Sequence, residues 1–151
     1  MWDKGLKLAR HLGMYVLILF SGPLTALEFT DAFVRGLPPG QKNTAAFFTV
    51  ANAEATAWTI ARVSTDAADR VEMHRHEHNN GMMMMREVDE LTIEAQSSLQ
   101  FAPGGLHLML IGLKQPLREG DRVTLQFTNV AGESVHTEFP VISVVNEHRH
   151  H

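Results

Sequence analysis

The sequence predicts an all-β domain, an antiparallel sandwich or Greek-key β-barrel, preceded by a signal peptide. Three observations carry that expectation. Residues 122–128 alternate, with Val123, Leu125 and Phe127 on one side and Thr124, Gln126 and Thr128 on the other, the period-two pattern of a half-buried strand. Turn signals recur at Asn79-Asn80-Gly81, Pro103-Gly104-Gly105, Glu119-Gly120-Asp121 and Ala131-Gly132. No convincing long helical period is present, and many short strands at regular spacing fit a sandwich or barrel.

The elements follow in chain order. Lys4, Lys7 and Arg10 precede an apolar run from Leu12 to Phe20, which Ser21, Gly22 and Pro23 break, and Leu24-Thr25-Ala26 supplies a small residue for cleavage. This is the three-part layout of a secretory signal peptide over residues 1–26. The run is shorter than the roughly 20 apolar residues that span a bilayer. Cleavage before Leu27 is therefore expected, with export and no stable membrane insertion afterwards. A loop is expected at 37–40 (LPPG). Residues 45–52 (AAFFTVAN) and 58–63 (WTIARV) are rich in aromatic and β-branched side chains and read as strands. Further strands are expected over 70–76, 82–88, 91–94, 98–101, 106–113, 122–128 and 134–145. The domain runs over 27–146, and a histidine-rich tail, EHRHH, occupies 147–151.

Composition narrows the function. The chain has 151 residues and a net charge of -4. Because the leader is basic, the remainder is more acidic still, a poor match to nucleic acid, which needs a basic face. There is no cysteine. That excludes a disulfide framework, a thiolate zinc site and a blue-copper electron carrier, which needs a cysteine ligand.

The methionines are unevenly spread. After residue 26 all of them lie between Met73 and Met109, in company with several histidines. His74 and Met85 are separated by ten residues, Met85 and His107 by twenty-one, and His107 and Met109 by one. Side chains two apart on a strand point the same way. His107 and Met109 thus share one face of the 106–113 strand, with Leu106, Leu108 and Leu110 on the other. His74 lies opposite Val71 and Met73 if those two are core, and Met85 shares a face with Met83. The four residues are expected to form a shallow site near one end of the sandwich. Thioether sulfur is soft and uncharged and suits copper(I) far better than zinc, calcium or magnesium, whereas imidazole accepts many metals. Two of each make a neutral set that favours copper(I) over copper(II). Methionine also fills gaps in cores. That is the simplest reading of Met73 or Met83 alone, and it has even weight for the run Met82–Met85 alone. His74, His76 and His78 alone read equally as a solvated polar edge.

The segment VEMHRHEHNNGMMMMREVDELTIEAQSSLQFAPGGLHLMLIGLKQPLREGDRVTLQF resembles the periplasmic copper(A) chaperone family, PCu(A)C. His74, Met85, His107 and Met109 fit its motif without a gap, and PGGLHLMLIGLKQPLREGD is similar to its most recognisable stretch. Leu106 stands where the family often has an aromatic residue, and Phe47 where it often has tyrosine. The resemblance implies a cupredoxin-like β-barrel and a single exposed copper(I) site in a periplasmic, non-enzymatic carrier. It also implies delivery to the copper A centre of cytochrome c oxidase or to another periplasmic copper protein. Sequestration without delivery has the same ligands and is the alternative. A secondary copper(II) site among His76, His78, His148, His150 and His151 is a second reading, since clustered imidazoles favour that ion, and a disordered tail without function is the alternative for residues 147–151. A histidine-brace oxygenase is disfavoured, because Leu27 rather than histidine is expected at the mature N-terminus.

Overall fold

The computed structural model describes residues 27–143. The expected leader and the tail with His148, His150 and His151 lie outside the described residues. The described chain forms ten strands and no helix: β1 (Leu27–Gly36), β2 (Asn43–Asn52), β3 (Trp58–Ser64), β4 (Ala68–Asn79), β5 (Met82–Glu87), β6 (Leu91–Ile93), β7 (Ser97–Phe101), β8 (Leu106–Leu113), β9 (Arg122–Asn129) and β10 (Ser134–Ser143). They join in the order β5-β4-β8-β2-β1-β10-β9-β3-β6, and β7 pairs with the second half of β2. Every pairing is antiparallel except β1 with β10.

Strand β10 turns the corner of the fold. Its residues from Ser134 to Pro140 pair with β9, and Val141, Ile142 and Ser143 pair with β1. The sheet thereby folds over one core. Phe48 and Phe101 stack at 4.3 Å, and Phe127 and Phe139 pack against Phe48 from the other half. These four rings are almost completely buried, so aromatic area contributes heavily to the core.

The sequence reading assigns no strand to 27–36, yet β1 is central. Its alternation is broken by a bulge between Thr30 and Phe33, where Asp31 has φ of 51°. A bulge inserts an extra residue and reverses the side on which later residues fall. Phe29 therefore packs into the inner aromatic cluster, while Phe33, four residues later, joins Phe47 and Ala45 on the outer face. A strict two-residue period cannot detect such a strand.

The inner face of β4 and β8 is apolar: Met73, Leu108 and Leu110 are buried in the core. Register then fixes what lies outside. Met73 pairs with Leu108, and the next residues along, His74 and His107, are directly opposed on the outer face.

Candidate metal centre

Strands β4, β5 and β8 bring the predicted donors together on the outer face. Across β4 and β8, Glu72 faces Met109 and His74 faces His107. Across β4 and β5, His76 faces Met85 and His78 faces Met83. Directly opposed residues of an antiparallel pair share a face, so one surface carries His74, His76, Met85, His107 and Met109. This surface lies on the face of the sheet toward its β5 edge, next to the Gly104-Gly105 turn that leads into β8. The turn at Asn80-Gly81 closes the β4–β5 hairpin, and both of its strands carry donors.

The contacts are short. His74 Nδ1 lies 3.0 Å from Met85 Sδ, and the His74 and His107 ring centroids are 5.6 Å apart. The His76 ring is 5.0 Å from that of His107. Two imidazoles bound at about 2 Å to one ion, at a near-tetrahedral angle, have centroids roughly 5 Å apart. The ring spacing therefore fits a shared ion. Thioether sulfur lies beside the imidazole nitrogens, a mixture of donors that suits a soft ion.

The ring nitrogens are already sorted. His74 Nε2 is hydrogen-bonded to Glu72 Oε2 at 2.8 Å, which leaves Nδ1 facing Met85. His107 Nδ1 donates to the Gly105 carbonyl oxygen at 3.2 Å, which leaves its Nε2 lone pair free. Such outer hydrogen bonds fix the tautomer and aim the ligating nitrogen. The same Gly105 oxygen accepts the backbone N–H of His76, and the turn that presents it has Gly104 at φ of 81°. Burial pushes the His107 pKa below its ordinary value, against the raising effect of the Gly105 bond, with the His76 and His74 charges adding to the depression. Its neutral, ligating form is thereby favoured. Glu72 is held below the usual carboxylate range by hydrogen bonds from Arg70 and then His74.

Exposure differs among the donors. His107 is buried beneath the surface, beside Phe47, whereas Met85 is 49% exposed. Core packing, one of the two readings of the methionine run, does not apply among the described residues: Met82, Met83, Met84 and Met85 are all exposed on the edge strand β5. Of the two methionines read singly as core, Met73 is buried and Met83 is not. Glu72 was missed by sequence reasoning. It lies two residues before His74, and extending the i, i+2 rule backwards would have found it.

Residues 27–141 match the family described as "Putative lipoprotein LpqE-like". Among curated proteins the chain is 33% identical over 124 residues to "Putative lipoprotein Lxx21020" of Leifsonia xyli subsp. xyli, covering 80% of this chain and 74% of that protein. Among solved structures it superposes on Cu(I)-bound DR1885 from Deinococcus radiodurans with a TM-score of 0.60 and 29% identity, over 82% of this chain and 80% of that one. It also superposes on the copper-bound PCuAC domain of PmoF2 with a TM-score of 0.64, over 79% of this chain and 94% of that one. Identity to the latter is 15%, so that likeness concerns the fold.

Proposed function

The chain belongs to the LpqE-like family and has the cupredoxin-like fold of PCu(A)C domains, and from that premise we propose that it is an exported copper(I) carrier whose ion is held by His74, Met85, His107 and Met109. The observation that carries the proposal is the pair of contacts at His74: Nδ1 toward Met85 Sδ at 3.0 Å, Nε2 tied to Glu72 at 2.8 Å. A histidine held this way offers one nitrogen next to a soft sulfur. His107 stands directly across the β4–β8 pair, and Met109 follows it on the same face. The set is neutral and rich in thioether, which favours copper(I) over harder ions. The related DR1885 was solved with Cu(I) bound, which agrees with this choice of ion.

Domain limits follow the same proposal, with a leader over 1–26, the copper domain over 27–146 and the tail over 147–151. Export is supported by the lipoprotein names of the relatives. The 151 residues contain no cysteine, so lipid attachment through a thiol is not carried over to this chain.

The mechanism is stepwise ligand exchange. Buried His107 anchors the ion, and exposed Met85, on the edge strand, is the donor that a partner's ligand replaces first. The acceptor is the copper A subunit of cytochrome c oxidase or another periplasmic copper protein. Sequestration without delivery uses the same ligands.

Chelator competition with copper(I) tests the ligand set. His74→Ala, Met85→Ala, His107→Ala and Met109→Ala are each expected to weaken binding by at least about tenfold while the circular dichroism stays native. Wild-type affinity in any one of them removes that residue from the set. In the same preparations, transfer to purified oxidase subunit should accelerate with acceptor concentration. A rate independent of acceptor would mean free dissociation, and no transfer at all would leave sequestration.

A further inference from the structure

The proposed ligand set leaves two imidazoles of this surface without a role, the exposed His78 and the partly buried His76. His76 Nδ1 is buried and has no hydrogen-bond partner among the described residues. Buried polar atoms are normally paired, and an orphan asks for a ligand, a water or an ion. The surroundings of His76 point to an ion. It is His76, rather than His74, that stands directly opposite Met85 in the β4–β5 register. Its ring is also nearer to His107, at 5.0 Å against 5.6 Å for His74. Two histidines of β4, two residues apart, thus both lie near Met85 and His107.

We propose, on the basis of the copper reading above, that His76 is an alternate imidazole donor which shares Met85 and His107 with His74 and gives the ion a second position toward the hairpin tip. In the inner position the ion has His74 and Met109. In the outer one it exchanges them for His76 and moves along β4 toward the hairpin tip. No redox change is involved, since copper(I) keeps its charge and only the neutral donors change. The spacing of the two histidines, two residues apart on one strand face, corresponds to a shift of several ångströms at most, given a rise of about 3.3 Å per residue. The outer position lies nearest the most exposed thioethers, where a partner can approach.

Non-additive loss of affinity tests this in the full-length protein. His74→Ala is expected to retain measurable one-to-one copper(I) binding through His76, weakened by about tenfold, and His74→Ala/His76→Ala to lose at least another tenfold. His76→Ala alone should cost no more than a few-fold, because the inner set is intact. In protein carrying ¹⁵N-histidine, addition of copper(I) to His74→Ala should move the His76 Nδ1 resonance. His136, on the distant strand β10, is the control and should not respond. A double variant no weaker than His74→Ala, or an unmoved His76 nitrogen, would overturn the proposal. Should His76→Ala lose its native circular dichroism, His76→Asn replaces it in the same comparison. The outcomes separate from those of the primary reading. If wild-type protein fails to compete for copper(I), the copper carrier itself is wrong. If the four single alanines behave as expected and only the double variant does not, His76 alone is wrong.

Discussion

At the scale of single residues, protonation connects the centre to stability. His107 is held neutral by burial, so its pKa in the folded protein lies below the value near 6.5 of an exposed histidine. The unfolded chain then takes up a proton more readily than the folded one. Stability is unaffected well above that value and falls as the pH drops through it toward the depressed folded pKa. Glu72 acts in the same direction at lower pH. Its carboxylate is stabilised by Arg70 and His74, so its contribution is present above the ordinary carboxyl range and is lost as the pH falls through the lowered value. The melting temperature of metal-free protein is therefore expected to decrease between pH 7 and pH 5, and His107→Gln, which cannot titrate, should show a flatter slope. Parallel slopes in the two proteins would contradict the assignment to His107. Glu72 was legible as a neighbour of His74, two residues before it on one strand face, but the hydrogen bond that ties the two side chains is seen only in the structure.

At the scale of elements, the hairpin of β4 and β5 decides where Met85 goes. Asn80 and Gly81 have φ of 50° and 80°. Left-handed conformations at both central residues define a type I′ turn, which Asn-Gly favours. This turn sets the register in which His76 meets Met85 and His78 meets Met83. Strand β5 is exposed along its whole length and supplies nothing to the core. Its opening is thus a local event with little effect on global stability. Replacing Asn80 and Gly81 together by alanine adds strain of about 1–2 kcal/mol per residue in the left-handed region. The expected result is a copper(I) affinity reduced as in Met85→Ala, with a melting temperature close to wild type. Unaltered affinity would show that the turn does not control the thioether. The turn was legible, since Asn79-Asn80-Gly81 punctuates the sequence. The exposure of four consecutive methionines was not, because hydropathy cannot distinguish an edge strand from a central one.

At the scale of the whole molecule, the sheet separates two tasks by its two faces. Its inner face holds Phe48, Phe101, Phe127 and Phe139. Its outer face holds the small cluster of Phe33, Ala45 and Phe47, beside which His107 lies. Phe127 is fully buried and reaches the opposite half of the fold through Phe29 and Phe48. Phe127→Ala is expected to cost about 3–5 kcal/mol in urea unfolding, a large part of the roughly 5–15 kcal/mol that a domain has. Under native conditions its copper(I) affinity should remain near wild type, since no donor packs on that ring. A large loss of affinity in folded Phe127→Ala would mean that the two faces are coupled.

The sequence by itself determined the all-β class, the position of most strands and the family. Strict alternation in β9 and glycine-containing turns are local properties, and local sterics alone produce them. It also determined that His107 and Met109 point the same way, because that follows from the pleat within one strand. What only the tertiary structure decided are facts of pairing between distant segments. These include the β1 bulge that turns Phe33 outward and the opposition of His74 to His107. They also include the presence of His76 beside both Met85 and His107. A strand's own sequence specifies which of its residues share a face, but the neighbour it meets, and at which residue, is fixed by register, and register is set by the packing of the whole sheet.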